Sequence, residues 1–467
     1  MLTPTVVIGR PVRLQVSAAA FSAGKVARKP MKVVLQLLVG GRPLAASEQE
    51  VSLEAPAVAQ FSFVPEKPED IVARVGLTGG PFGPGADDVR YCTVRVRSPI
   101  RVLVAAGGNV GRYVVTALDP YGEPSRSGID VRAVGPGDLG EAVASGTPDL
   151  VVLANCPGLD ESARQALAML ASSGGGILVF LGDAADTGYV ANELVPRVVG
   201  DRSLTFGPME GAPPGAPFGL TEIDTARPPL QAFANPRAGD LGALRFAKAR
   251  KINVGDEARV LAAYDNGSPA LLEWRAGAGR LMLFNTSADG SWGEHIRSPA
   301  YVPLMHRLAG YLARPGRPSI ADVVVGEKPA IARAAPPPTE VRLQSPGGEE
   351  QTVPVQDGML SEVKVPGEYP VRCGDLDLAF AANVDPRESD LTRTDRAFVE
   401  KALAPAKVTF LPPSAVAEEF RAALPASTEL SVPLLLLALA AVLVESVLSI
   451  IRRGPEEGAG KARASAV

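Results

Sequence analysis

Hydrophobic residues in the first hundred positions occur in short runs separated by turn residues. The runs are VVIG, VRLQV, KVVLQLLV, VAQFSFV, IVARVGL and YCTVRVR, with Gly and Pro between them. Phe61 and Phe63 are two positions apart, which predicts that both lie on one inward face of a strand. This rhythm is typical of a β-sandwich. We therefore predict an immunoglobulin-like β-sandwich over residues 1–98.

Longer apolar runs follow after residue 98 and alternate with helical segments. RVLVAA, DLVVLA, GILVFL and RLMLFN are predicted strands that are buried on both faces of a parallel sheet. A helix between two of them is predicted to be capped by Asp160, with Ala163, Leu167 and Leu170 on one face. This pattern predicts a doubly wound, flavodoxin-like α/β domain over 99–315. Within it, the Gly- and Pro-rich residues 201–240 are predicted to form an excursion off the sheet.

Short strand signals return between residues 319 and 384 and predict a second, small β-sandwich. The sequence PGEY within it, from Pro366 to Tyr369, is interpreted as a turn between strands. Residues 385–429 are polar and are predicted to form a partly helical connector.

Residues 430–451 (LSVPLLLLALAAVLVESVLSII) form a long apolar run in which Glu445 is the only charge, with Pro433 near its start. A helix of this length reaches about 33 Å, which is enough to cross a hydrocarbon core of about 30 Å. The alternative is a buried core helix, which would usually carry a polar stripe. We therefore predict one transmembrane helix.

Positive charge follows this helix, beginning with Arg452 and Arg453, whereas only Glu429 marks its approach. The positive-inside rule predicts that the tail, 452–467, is cytoplasmic and that the bulk of the chain lies outside the cytoplasm of a bacterial inner (cytoplasmic) membrane. Glu445 lies two turns from the arginine pair, so it can reach the interface or a partner's polar group. A proton-relay role is the minor alternative.

The first residues, MLTPTVVIGRPVRLQV, contain no basic-then-apolar export signal. Either the orientation is reversed, or this chain is the C-terminal part of a longer membrane protein. We favour the second explanation.

Charge and composition exclude several classes of function. A net charge of -4 with only 2 Trp and 8 Tyr argues against a nucleic-acid partner. The 3 Cys form no CxxC pair, and 2 His cannot make a His-rich metal site. The Gly-rich sequence AAGGNVGR lacks the Lys and Ser/Thr of a phosphate-binding loop. No cofactor is predicted.

A nucleophile in such an α/β domain would sit at a sharp strand-to-helix turn as Cys or Ser. The strongest candidate turn, FLGDAADTGY, contains neither and has Asp183 instead. Cys156 is followed by Pro157, which breaks a tight turn into a helix, and His295 follows the last strand without a nucleophile to activate. We expect no enzyme activity; the alternative is a hydrolase or amidotransferase that uses Cys156 or Asp183 with His295.

Four segments resemble the C-terminal half of large bacterial BatA-type membrane proteins, also called von Willebrand factor A or aerotolerance-regulator-like proteins. They are residues 87–105, 149–183, 277–312 and 381–395, and the run NVDPRESDLT before the terminal helix is the most specific of them. In that family a membrane-embedded region, often with a von Willebrand factor A domain, precedes a β-sandwich, a glutamine-amidotransferase-like domain and a last transmembrane helix. The membrane-embedded region and the von Willebrand factor A domain are absent here.

The resemblance implies a class I glutamine-amidotransferase-like fold without its activity. The family's nucleophilic Cys is missing from the turn at Leu181 to Ala184. By resemblance, the expected function is a non-enzymatic, membrane-anchored envelope protein with extracytoplasmic protein-binding domains. Its expected partners are the membrane and other envelope membrane proteins, including von Willebrand factor A proteins or a MoxR-type ATPase system for envelope assembly or stress tolerance.

Overall fold

A computed structural model describes residues 5–19, 31–52, 57–78, 88–313, 318–332, 338–389, 395–406, 408, 410 and 431–452. The chain divides into two compact units, Met1–Leu391 and Thr392–Val467. The first unit contains three successive groups of strands, here called the first β domain (5–97), the α/β domain (100–313) and the second β domain (319–383). It is a mixed α/β structure.

Two facing sheets form the first β domain. Its strands are β1 (Thr5–Val7), β2 (Val12–Ala18), β3 (Met31–Val39), β4 (Arg42–Val51), β5 (Ala57–Phe63), β6 (Asp70–Thr78) and β7 (Val89–Arg97). One sheet has the order β1-β7-β6-β3-β4, and the other is the antiparallel pair β2-β5. Phe61 and Phe63 both pack into the core between the sheets, which confirms the prediction that they share a face. Gly40 and Gly41 have φ values of 54° and 79°, and they make the two-residue turn between β3 and β4.

An eight-stranded sheet forms the centre of the α/β domain. Strands of this domain are β8 (Ile100–Ala106), β9 (Ile129–Val134), β10 (Leu150–Ala154), β11 (Gly176–Leu181), β12 (Thr205–Gly211), β13 (Leu220–Thr221), β14 (Lys248–Asn253), β15 (Arg259–Tyr264), β16 (Pro269–Ala276) and β17 (Gly279–Ser287). The order β13-β15-β16-β17-β11-β10-β8-β9 is parallel only from β17 to β9, so the sheet is mixed. Each residue of β10 and β11 is buried, as their continuous apolar sequences predict.

Helices cover both faces of this sheet. They are α1 (Gly111–Leu118), α2 (Pro124–Ser127), α3 (Leu139–Gly146), α4 (Glu161–Ser172), α5 (Thr187–Tyr189), α6 (Val195–Val199) and α7 (Tyr301–Leu312), with a π-helical segment, Val190–Leu194, joining α5 to α6. Helices α1 and α7 pack into one core, and α3, α4 and α6 into the other. The cap of α4 is confirmed, because the Asp160 carboxylate accepts a hydrogen bond from the Ala163 amide at 2.7 Å.

The excursion predicted over 201–240 is only partly separate from the sheet. Strand β12 pairs with β14 in a two-stranded sheet of its own, but β13 joins the edge of the main sheet beside β15. The two antiparallel strands β15 and β16 also extend the sheet beyond β17. Their sequences, RVLAAY and PALLEWRA, are mostly buried like those of the parallel strands and do not alternate, so no local pattern marks them as antiparallel. The sequence therefore predicted a parallel sheet where the structure has a mixed one.

Seven strands are described in the second β domain. They are β18 (Ser319–Ile320), β19 (Val323–Val324), β20 (Ile331–Ala332), β21 (Glu340–Gln344), β22 (Glu350–Pro354), β23 (Gly367–Cys373) and β24 (Leu376–Asn383). Five of them form a sheet in the order β19-β24-β23-β21-β22, and β18 pairs with β20. The predicted turn at PGEY is wrong, because β23 begins at Gly367 and Tyr369 lies within the strand, stacked on Phe380 with ring centroids 5.0 Å apart.

The two β domains contact each other directly through β7 and β24. The side chain of Asn383 bonds both backbone groups of Tyr91, donating to its carbonyl and accepting from its amide at 2.8 Å each. The Asp322 carboxylate accepts from the Thr93 amide at 2.9 Å, the Thr93 hydroxyl at 2.6 Å and the Ala381 amide at 2.9 Å. These bonds bring residues far apart in sequence into one polar interface.

The second unit contains two described helices, α8 (Arg396–Ala402) and α9 (Ser431–Arg452). Residues Ser431–Ser449 of α9 have a mean hydropathy of 2.3, and none of this stretch is buried. It is the one helix in the described part of the chain that is long and apolar enough to span a membrane. Most of the predicted connector and of the tail, including Arg453, lies outside the described residues.

Candidate functional site

The loops at the carboxyl ends of β8, β10 and β11 meet at one edge of the sheet. The chain leaves β8 toward α1 on one face and β10 toward α4 on the other, and ligands of doubly wound sheets bind at such a switch point. Asn155, directly after β10, has a φ of 53°, in the left-handed region that Asn tolerates better than most residues. Its side-chain oxygen accepts a hydrogen bond from the Ala184 amide at 2.8 Å.

Two glycines pack tightly against Asn155. A Cβ on Gly182, whose φ is 152°, would lie 2.3 Å from the Asn155 side-chain oxygen, and one on Gly107 would lie 2.8 Å from its carbonyl oxygen. The turn after β11, where an amidotransferase nucleophile is expected, is therefore held against Asn155. Asp183, which follows Gly182, is the first residue of this turn with an ionisable side chain.

Asp183 is exposed over 63% of its side chain. Its carboxylate accepts a hydrogen bond from the indole N–H of the fully buried Trp292 at 2.8 Å, and Lys248 Nζ lies 3.5 Å away. Satisfying a buried indole is a structural role. The indole of Trp274 is satisfied in the same way, by Asp201 at 2.7 Å.

Cys156 is buried and lines a small apolar cavity of about 10 Å³. Its thiol donates to the Ala105 carbonyl at 3.1 Å. Burial raises the pKa of this thiol to about 11, and a weaker opposing effect comes from its bond to Ala154. Since the thiolate is the nucleophilic form, this cysteine is protonated and poorly nucleophilic at neutral pH.

His295 is buried on the other side of the sheet edge, with 1% of its surface exposed. Its ring stacks on Phe246 at 4.9 Å and meets the edge of Tyr301 at 5.8 Å. Nε2 lies 3.0 Å from the Ser287 carbonyl oxygen, which can only accept, so Nε2 carries the proton. Burial lowers the pKa of His295 to about 4, against smaller opposing effects of Ser287 and Asp289. The ring is neutral at physiological pH.

These three candidates are not brought together. Cys156 packs in the same core as Leu153, whereas Phe246 and Tyr301, the ring partners of His295, pack in the core that contains Val152. Successive residues of a strand point to opposite faces, so the cysteine and the histidine are on opposite sides of the sheet. Within residues 88–313, which are all described, neither side chain forms a hydrogen bond with the other or with Asp183.

Thiol labelling tests this environment. We expect Cys156 to resist a thiol-specific reagent in the folded protein at about pH 8, with labelling at least about 10-fold slower than in denaturant, because the thiol is both buried and protonated. A Cys92→Ser/Cys373→Ser variant leaves Cys156 as the single thiol. Rapid, stoichiometric labelling of that variant without denaturant would contradict the assignment.

No metal site is formed by the described residues, since no group of three or more His, Cys, Asp or Glu side chains is arranged to hold an ion. Asn155 and Lys248 also lie at this edge, and neither was predicted from the sequence. The sequence could have indicated Asn155, because an Asn directly after a buried parallel strand can adopt the positive φ of a tight turn. Lys248 comes from β14, whose position no local pattern indicated.

Comparison with known proteins adds little. No protein-family model and no curated protein matches the chain. Among solved structures, a cytoplasmic protein from Salmonella typhimurium LT2 aligns with 46% of this chain and 100% of its own at 15% identity and a TM-score of 0.35. A β-galactosidase from Bacillus circulans sp. alkalophilus aligns with 59% of this chain and 41% of its own at 11% identity and a TM-score of 0.32. A protein described as ThuA-like, from Bacteroides uniformis ATCC 8492, aligns with 45% and 90% at 12% identity and 0.32. We draw no function from similarities this weak.

Proposed function

We propose that this chain is a membrane-anchored, non-enzymatic binding protein of the bacterial envelope. The observation that carries the proposal is helix α9, whose apolar side chains are exposed on all sides, with Leu435 and Leu437 each 71% exposed. An exposed apolar helix of 22 residues costs free energy in water and is stable in a bilayer. Residues before α9 are on the outer side of the inner membrane, and the tail, 452–467, is cytoplasmic.

The ends of α9 support this placement. Pro433 is in the first turn, where proline is tolerated, and Glu445 is seven residues before Arg452, so both charges lie on one face near the same interface. Arg453 adds positive charge on the cytoplasmic side.

The rest of the chain serves as a scaffold for binding. The parallel strands have the order β9-β8-β10-β11-β17, which is the 2-1-3-4-5 order of flavodoxin-like sheets and supports a domain of the amidotransferase type. The first β domain is of the immunoglobulin-like type, and residues 319–384 form a small β-sandwich. The separation of Cys156 from His295 supports binding over catalysis. The resemblance of residues 381–395 to BatA-type proteins supports action beside von Willebrand factor A proteins or a MoxR-type ATPase.

Protease protection tests the topology. Cells express the gene in its genomic context, with all that precedes it, and with a tag after Val467. In spheroplasts, we expect external protease to digest the first unit and to leave the tag protected until the membrane is opened. Protection of the first unit together with digestion of the tag would reverse the orientation and overturn the proposal.

A deletion and a replacement test the role of α9. Removing residues 431–452 is expected to move the protein from the carbonate-washed membrane pellet to the soluble fraction. Replacing them with an unrelated apolar helix of equal length is the matched control and is expected to restore the pellet. If the deleted protein stays in the pellet, α9 is not its anchor.

A further inference from the structure

An open groove of about 820 Å³ lies between the two β domains. One wall is the β3–β4 turn with residues 67–70, and the other is the sheet of β21 to β24. The walls are fixed to each other, because the Gly41 amide donates to the Glu368 carboxylate at 3.1 Å and the Ala379 amide donates to Asp70 at 3.2 Å. These two bonds hold the walls of the groove at a fixed distance from each other.

Four cationic side chains line this groove: Arg42, Lys67, Arg342 and Arg372. All four residues are exposed, and within the described part of the chain none of them forms an ion pair. Arg342 of β21 stands directly opposite Arg372 of β23 in the antiparallel register. Asp377 of β24 stands opposite Arg372 on its other side, so one carboxylate serves two arginines in this row. Like charges opposite each other destabilise a strand pair, so an anion that contacts Arg342 as well as Arg372 is favoured.

Carboxylates in the groove limit what that anion can be. Asp70 is already paired with Arg97 at 2.7 Å. Glu69, Glu350 and Asp377 also line the groove, so that together with Asp70 four carboxylates lie beside the four cations. A dense polyanion would be repelled by them, whereas a ligand with a single anionic group would not.

We propose that this groove binds a ligand through one oxyanion group, a carboxylate or a phosphate, held between the guanidinium groups of Arg342 and Arg372. Two planar forks opposite each other can each donate paired hydrogen bonds to such a group. Arg42 and Lys67 add positive potential from the opposite wall. The site is distinct from the sheet edge of the α/β domain and does not depend on how the protein is oriented in the membrane.

Titration calorimetry on the full chain in a non-ionic detergent tests the proposal, with inorganic phosphate and acetate as separate probes. We expect a dissociation constant on the order of 1 mM for at least one probe. The Arg342→Gln/Arg372→Gln variant is expected to bind at least about 10-fold more weakly, since each charge-assisted contact contributes about a factor of ten. Binding of phosphate alone indicates a phosphate-bearing ligand, and binding of acetate alone or of both indicates that a carboxylate suffices; both outcomes support the site.

The matched control is Arg275→Gln. Arg275 of β16 also stands opposite an arginine, Arg280, but Arg280 contacts Glu273 at 3.4 Å and the Tyr311 ring at 4.5 Å, away from the groove. We expect this variant to bind like the unchanged protein. Equal affinity of the unchanged and double-variant proteins, or no heat from either probe at about 20 mM, overturns the proposal.

Hydrogen exchange gives a second test, in which the direction of the change in amide protection is predicted separately with and without the anion. Without anion, Arg342→Gln is expected to increase amide protection in β21 and β23 about two- to fivefold, because it removes the like-charge pair. Adding the probe is expected to increase protection in the unchanged protein and not in the variant. A variant that loses protection without anion would show that the arginine pair stabilises the sheet by itself, which contradicts an anion site.

Discussion

Replacing Asp322 by Ala is expected to destabilise the contact between the two β domains by about 3–5 kcal/mol, because three buried neutral donors lose their charged acceptor at about 1–3 kcal/mol each. The Asp322 carboxylate accepts three hydrogen bonds, two of them from Thr93 and one from the Ala381 amide. Both Thr93 and Ala381 have 0% of their surface exposed. Without the Asp322 carboxylate, the donors of Thr93 and Ala381 lose this acceptor, and because both residues are fully buried, water does not replace it.

Hydrogen exchange measured by mass spectrometry checks this expectation, with faster exchange in the segments around Thr93 and Ala381. Asp130→Ala is the control, since Asp130 is an exposed aspartate on edge strand β9 of the α/β domain. Trp274 and Trp292 are the only tryptophans and are buried in that domain, so their fluorescence reports whether it stays folded. Unchanged exchange in both segments would show that the Asp322 bonds do not hold the interface.

This interface accounts for the first residues of the run NVDPRESDLT. Asn383, at the start of NVDPRESDLT, bonds both backbone groups of Tyr91, and Arg90 donates to the Val384 carbonyl. Asp385 pairs with Arg387 at 2.5 Å on the surface. The first two residues of the run, Asn383 and Val384, therefore join the two β domains.

Local patterns predicted the parts of the fold that local forces determine. The apolar runs of β10 and β11 and the cap and apolar face of α4 were found because burial and capping leave a signal within a few neighbouring residues. The pairing of β12 with β14 was not found, because these strands are separated by Gly- and Pro-rich chain and no local pattern encodes their register.

In the candidate site, too, local features were predictable from the sequence and long-range ones were not. The absence of Cys and Ser from the turn after β11 was visible in the sequence, but the positions of Cys156 and His295 on opposite faces of the sheet were not. The groove was also invisible, because Arg342 and Arg372 are thirty positions apart and meet only through the register of β21 and β23. A single sequence does not determine the register between strands that are far apart in the chain.

Acidification is expected to destabilise the α/β domain through His295. The unfolded chain binds a proton on this side chain near its ordinary pKa of 6.5, whereas burial lowers the pKa in the folded state to about 4. Between these values the unfolded state holds more protons, so the free energy of unfolding falls as the pH falls. From about pH 7.5 to about pH 4.5 the loss from His295 amounts to about 2–3 kcal/mol.

The small number of histidines makes it simple to assign the pH dependence to His295. The chain has only 2 His, and His306 is half-buried with its pKa also lowered by burial, against smaller effects of Ala117 and Asp119. Unfolding by urea at several pH values, followed by tryptophan fluorescence, compares the unchanged protein with His295→Gln, which keeps a donor for the Ser287 carbonyl but cannot titrate. We expect a flatter pH dependence for His295→Gln and a smaller change for the control, His306→Gln. Parallel curves for the unchanged protein and His295→Gln would mean that the pKa of His295 is the same in the folded and unfolded states, and would return it to the candidates for acid–base chemistry.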